Sequence, residues 1–211
     1  MFKRVDVMSE QDLEKNSEKL KKEYIKEGKI TTRGILVKKY IFGKILDVGC
    51  DSHFLHDEIK NDNMIGLDVI IKHVRNKVMK ANGQYMPIKS ESFDSVVAGE
   101  LIEHLEKPEI FLKECYRILK KNGRLIITTP NRESWWNMIT KSYFIKYHIS
   151  LFSREELISS LNKVGFSVNE FFFIPYDKFS NPFGAFYCFR KIIHHIVPKN
   201  LKENMVVIAA K

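Results

Sequence analysis

A glycine and an aspartate 19 residues apart carry the clearest chemistry in this chain. Ile45-Leu46-Asp47-Val48-Gly49-Cys50 reads as an apolar strand that ends in glycine and turns tightly into a helix. Glycine at such a turn lets a ligand approach the backbone, and a helix N-terminus offers N–H groups. Asp68 closes the next strand, where a carboxylate can accept from both hydroxyls of an adenosine ribose. The pair points to a nucleoside cofactor. NAD asks for Gly-x-Gly-x-x-Gly at that turn, but the run is Gly49-Cys50-Asp51-Ser52-His53-Phe54, with no second or third glycine. Close passage of a pyrophosphate is therefore disfavoured. S-adenosylmethionine (SAM), which has no phosphate, is less affected.

The elements that would position these residues alternate between strand and helix. Apolar spacing after Ser9 predicts a helix to Gly28, and a shorter one covers Thr32–Tyr40. Strands are expected at Lys44–Val48, Met64–Asp68, Ser92–Ala98, Arg124–Thr129, Phe166–Ile174 and Met205–Ala210, with a helix at Phe54–Ile59. Pro108 suits the first turn of a helix that ends at Asn122-Gly123, with Gly123 taking the left-handed conformation. Ser153-Arg154-Glu155-Glu156 matches a capping box, with Phe152 and Leu157 as a hydrophobic staple, for a helix running to Gly165. Pro182 to Val197 reads as helical and aromatic. This alternation predicts an α/β sandwich around a mostly parallel sheet.

With 211 residues, 44% of them hydrophobic, the chain can bury one sizeable core, and it is read as a single domain over 1–211. No run approaches the roughly 20 apolar residues needed to span a bilayer, and the N-terminal residues lack a signal-peptide pattern. Cys50, Cys115 and Cys188 are dispersed, so neither a disulfide framework nor a metal site is expected, and the expected compartment is the cytoplasm. The net charge of +9 sits on the flanks: residues 1–44 and 141–211 each carry net +5, and residues 45–140 carry −1. Solvated faces that aid solubility are the ordinary account of the basic flanks, and an anionic substrate or surface is the sharper one.

Several motifs in order resemble the class I SAM-dependent methyltransferases, in particular the type 11 group related to quinone-biosynthesis methyltransferases. The resemblance covers roughly residues 40–170. It rests on Ile45–Cys50, Ile65-Gly66-Leu67-Asp68, Asn82–Pro87 with Ser92–Val97, Glu100-Leu101-Ile102-Glu103-His104-Leu105, and Leu119–Leu125 leading to Thr129-Pro130-Asn131. It implies a Rossmann-like three-layer sandwich with a seven-stranded, mostly parallel sheet and an antiparallel last strand. Residues 1–43 would form a helical cover, 44–130 the cofactor-binding core, and 131–211 the acceptor-side elements and last strands.

Carried over, the resemblance places Asp47 and Gly49 at the methionine end of SAM, with Cys50 and Asp51 lining the turn. Asp68 would hold the ribose, and Val69 would flank the adenine. Asn82-Gly83 would form the adenine-side turn, and Glu100 would lie beside the cofactor. Asp51 and His53 stand where the family has glycines, and Asn82 where it usually has an acid. His104 is the candidate base and His148 a second one, each with a purely structural alternative. Trp135 and Trp136 could wall an acceptor pocket. Phe183, Phe186, Tyr187 and Phe189, with Arg190-Lys191 and His194-His195, would suit an interfacial helix.

The expected acceptor is a small molecule or a lipid, with peripheral membrane or anionic contact. Two alternatives stand beside it. One is a member that keeps the fold without catalysis. The other is an RNA methyltransferase, which ranks lower because no RNA-binding module is appended.

Overall fold

Short apolar runs in this chain become buried strands, and the amphipathic stretches between them become the layers that cover those strands. The computed structural model describes residues 30–50, 54–71, 77–139, 148–174, 192–193 and 195–211. The elements in chain order are α1 (Thr32–Tyr40), β1 (Ile45–Val48), α2 (Phe54–Ile59), β2 (Met64–Asp68), β3 (Val78–Lys80), β4 (Phe93–Gly99), α3 (Pro108–Ile118), β5 (Leu119–Pro130), α4 (Trp135–Ile139), α5 (Arg154–Val164), β6 (Ser167–Ile174) and β7 (Asn204–Ala210). Expectations for the helix over Ser9–Gly28, for Asp51 and His53, and for Phe183 through Lys191 and His194 lie outside the described residues. Of the last predicted helix, residues 192–193 and 195–196 are helical.

The seven strands form one sheet in the order β3-β2-β1-β4-β5-β7-β6. Pairings from β3 through β5 are parallel, and β7 runs antiparallel to both β5 and β6. Strand order reverses between β1 and β4. In such sheets the crevice outside the carboxyl ends at that reversal is where ligands bind.

Side chains alternate between the two faces of the sheet, and each face has its own core. Leu46, Val48, Val96, Leu125 and Ile127 pack against Phe111, Leu112 and Cys115 of α3 and Leu157 and Leu161 of α5. Ile45, Met64, Val97 and Ile126 pack against Val37 and Tyr40 of α1 and Leu55 and Ile59 of α2. By the same alternation, Asp47 and Asp68 point to the α1–α2 side.

Three local details depart from the expectations. β3 was not anticipated. The Pro108 helix stops at Ile118, and Leu119 is already extended. The left-handed residue of the following turn is Asn122 (φ 64°), not Gly123. Gly123 instead serves close packing, since a Cβ there would meet the Lys120 carbonyl oxygen at 2.8 Å. The α5 capping box forms as expected: the Ser153 hydroxyl accepts from Glu156 N at 3.2 Å, and the Glu156 carboxyl accepts from Ser153 N at 3.0 Å.

Candidate functional site

Parallel pairing brings the glycine turn and the aspartate together. Val48 pairs with Leu67, and Gly49 N donates to the Leu67 carbonyl at 2.8 Å, so Asp68 stands one residue beyond that bond on the neighbouring strand. Gly49 has φ +75°, and a Cβ there would meet the Leu101 side chain at 3.0 Å. Only glycine takes this backbone without strain, and the Leu101 side chain packs against its bare face. Asp68 is half-buried, and its Oδ1 accepts from Ile70 N at 3.1 Å. Val69 beyond it is 51% exposed. Asp47 and Cys50 are buried in the same corner. Asp51 lies outside the described residues.

Asn82 and Gly83 follow β3. Asn82 Oδ1 accepts from Gln84 N at 2.9 Å, closing a small turn of its own, and retains a second lone pair for a ligand. Gly83 is buried, and a Cβ there would meet Val48 Cγ1 at 2.9 Å, so it packs this turn against β1.

On the strand beside β1, Glu100 directly follows β4 with φ +53°, a conformation that non-glycine residues rarely adopt. Its N–H donates to the Thr128 carbonyl at 2.9 Å, and its Oε1 accepts from Thr128 Oγ1 at 3.0 Å. Sequence reasoning missed Arg33. Its guanidinium lies beside the end of β4, where a Cβ on Gly99 would meet Nη1 at 3.7 Å. Its positive charge also acts on Glu103.

Glu103, His104 and His148 form the other cluster. Glu103 is fully buried, and its Oε2 accepts from Thr129 Oγ1 at 2.9 Å. His104 Nε2 is 4.0 Å from Glu103 Oε1, and the two imidazole rings lie edge to face at 5.0 Å. Ser150 N donates to the Glu103 carbonyl at 2.9 Å, and Ser150 Oγ to the Leu105 carbonyl at 2.7 Å, so the His148 segment is strapped to the His104 segment. One donor atom from each of the three residues lies within 4.8 Å of the others. The donor set suits a divalent cation. Burial, with the charge on His104 as a second cause, pushes His148 down to about 4, so it stays neutral at neutral pH. His104 has a side chain 46% exposed and is the better placed of the two to meet an acceptor.

Burial, reinforced by Glu100, holds the Glu103 carboxyl well above its ordinary 4.5. The folded protein therefore keeps this group protonated where the unfolded chain ionises. The stability this gives is complete below the unfolded value and is lost as pH rises through the folded one. Glu103→Gln mimics the neutral acid. Its thermal midpoint is expected to track the parent's near pH 4 and to exceed it increasingly toward about pH 8. Parallel curves over that range would show that Glu103 titrates normally.

Trp135 is buried at 8% exposure, and Trp136 contacts it edge to face at 5.4 Å. Both follow β5 at the carboxyl edge.

A family model described as "Methyltransferase domain" matches residues 8–170. The chain belongs to this methyltransferase family. Among similar proteins, the mitochondrial ubiquinone biosynthesis O-methyltransferase of Rattus norvegicus is 30% identical, with 42% of this chain and 31% of that protein covered. A probable S-adenosylmethionine-dependent methyltransferase of Mycobacterium tuberculosis is 31% identical, covering 58% of this chain and 48% of that protein. This methyltransferase-family chain thus spans less than half the length of either relative. A SAM-dependent methyltransferase from Archaeoglobus fulgidus superposes with a TM-score of 0.65 at 20% identity, covering 96% of this chain and 97% of the other, which shows a shared fold. The family implies SAM as its cofactor. The Asp68 carboxyl, one residue past the Leu67 carbonyl that Gly49 N bonds, fits the ribose of an adenosyl group.

Proposed function

We propose that this chain transfers a methyl group from SAM to a small-molecule or lipid acceptor at the carboxyl edge of β1, β4 and β5. The observation that carries this reading is the adjacency of Gly49 and Asp68 on paired strand ends. Asp68 offers two oxygens to the ribose hydroxyls, and Val69 offers an apolar edge to the adenine. At the other end, Arg33 and the buried Asp47 present opposite charges, which complement the carboxylate and ammonium of a methionine moiety. Bound SAM supplies a methyl group already activated by its sulfonium. What remains for the protein is alignment, exclusion of water and removal of a proton.

An oxygen acceptor is favoured by the similarity to an O-methyltransferase. Such an acceptor needs its proton taken, and His104, half-exposed beside the crevice, is the base. A group held near 4 binds a proton poorly, so His148 orients His104 instead. Met138, Ile139 and Ile149 are 59%, 72% and 66% exposed, which supports an apolar or lipid acceptor on this side.

The reading is tested by titrating SAM and S-adenosylhomocysteine calorimetrically, then screening hydroxylated acceptors for methyl transfer. With an acceptor in hand, His104→Ala should lower turnover by about 10²–10⁴-fold and leave donor affinity unchanged. Equal turnover in that variant would remove His104 from the chemistry.

A further inference from the structure

Glu58 is 8% exposed and lies on α2, away from the acceptor-side cluster. Its Oε1 accepts the backbone N–H of Thr31, the residue that caps α1. The Thr31 hydroxyl accepts from Gly34 N at 2.9 Å, completing the cap. A Cβ at position 34 would meet the Glu58 carboxyl atoms at 2.5–2.7 Å. Only glycine therefore lets this carboxyl lie against the first turn of α1. Further along, Val37 and Tyr40 of α1 pack with Leu55 and Ile59 of α2. The two helices are thus held by apolar contact at one end and by one carboxyl at the other.

An apolar side chain in place of Glu58 would join the helices without burying a polar group. Glu58 Oε2 is buried with no hydrogen-bond partner among the described residues, a costly arrangement for packing alone. What the carboxyl adds is a directional anchor on the first turn of α1. That turn carries Arg33, whose guanidinium stands at the end of β4 beside Gly99 and acts on Glu103.

We propose that Glu58 is a positioning residue for the methyl donor: by anchoring the first turn of α1, it sets where the Arg33 guanidinium stands. The proposal rests on the donor site described under the proposed function. Glu58 does not touch the donor. Its effect on affinity passes through Arg33.

A double-mutant cycle read by calorimetry with S-adenosylhomocysteine on the full chain tests this. Glu58→Ala is expected to weaken binding about tenfold, and Glu58→Gln, which keeps an acceptor oxygen for Thr31, to stay within about threefold of the parent. In an Arg33→Ala background, Glu58→Ala should change affinity by less than about twofold, because the residue it positions is gone. Ile118→Val, a mild core change on the opposite face, should leave affinity unmoved. If Glu58→Ala does not fold, Gly34→Ala, which pushes the same carboxyl aside, replaces it in the cycle.

Unchanged affinity on losing the Glu58 contact, an equal loss with and without Arg33, or an equal loss in Ile118→Val would overturn the proposal. A parent chain that binds no S-adenosylhomocysteine would overturn the donor site itself, which is a separate outcome from binding that ignores Glu58.

Discussion

Asp68→Ala is expected to weaken S-adenosylhomocysteine binding by about 100-fold or more, equivalent to about 2.7 kcal/mol, while the protein stays folded. The size follows from what is removed. A ribose presents two hydroxyl donors, and a carboxylate is the one small side chain that accepts both with charge assistance. Alanine leaves those hydroxyls facing a half-buried strand end. The fold should tolerate the change, because Asp68 is the last residue of β2 and is only half-buried. Calorimetry measures the affinity, and thermal unfolding by circular dichroism checks the fold. Affinity within a few-fold of the parent would mean that Asp68 does not meet the ribose.

Gly49→Val should remove donor binding and also destabilise the protein, by about 2–4 kcal/mol. Both effects share one geometric cause. At φ +75° a β-branched side chain is strained before it touches anything, and its Cβ would then press on Leu101 at 3.0 Å. Relaxing either strain moves the Gly49 and Cys50 N–H groups that bond the Leu67 carbonyl at 2.8 and 3.3 Å, and with them the spacing to Asp68. For a chain of this length, thermal unfolding should drop by roughly 4–16 °C. A stable Gly49→Val protein that still binds the donor would show that the turn is not the cradle.

The central strands were legible because burial on both faces forces near-continuous apolar runs, as in Ile45–Val48 and Leu125–Ile127. The residues by themselves marked six strands. The count of seven, and the antiparallel one, came with the family resemblance. Val78–Lys80 escaped because it is a three-residue edge strand with no buried side chain, too short and too exposed to impose a period. Asn122-Gly123 announced a turn, but both residues tolerate positive φ, and which one takes it depends on Gly123 passing close to Lys120.

In the site, Gly49 and Asp68 were legible because spacing along the chain translates into adjacent strand ends. Arg33 was not, being one of 12 lysines and arginines in the first 44 residues with nothing local to single it out. Glu58 was hidden for the same reason. A glutamate on a short helix reads as solvated, and burial against a glycine 24 residues earlier is a tertiary fact. Glu103 was visible only as part of a motif. Its burial against Thr129 depends on β5 returning beside β4.

The most direct test of the site is a crystal structure of this chain with S-adenosylhomocysteine. The ribose hydroxyls are expected within hydrogen-bond distance of the Asp68 carboxyl, with the sulfur-bearing chain crossing Gly49 toward Arg33. A ligand seated elsewhere, or a crevice that stays empty at saturating concentration, would contradict the account.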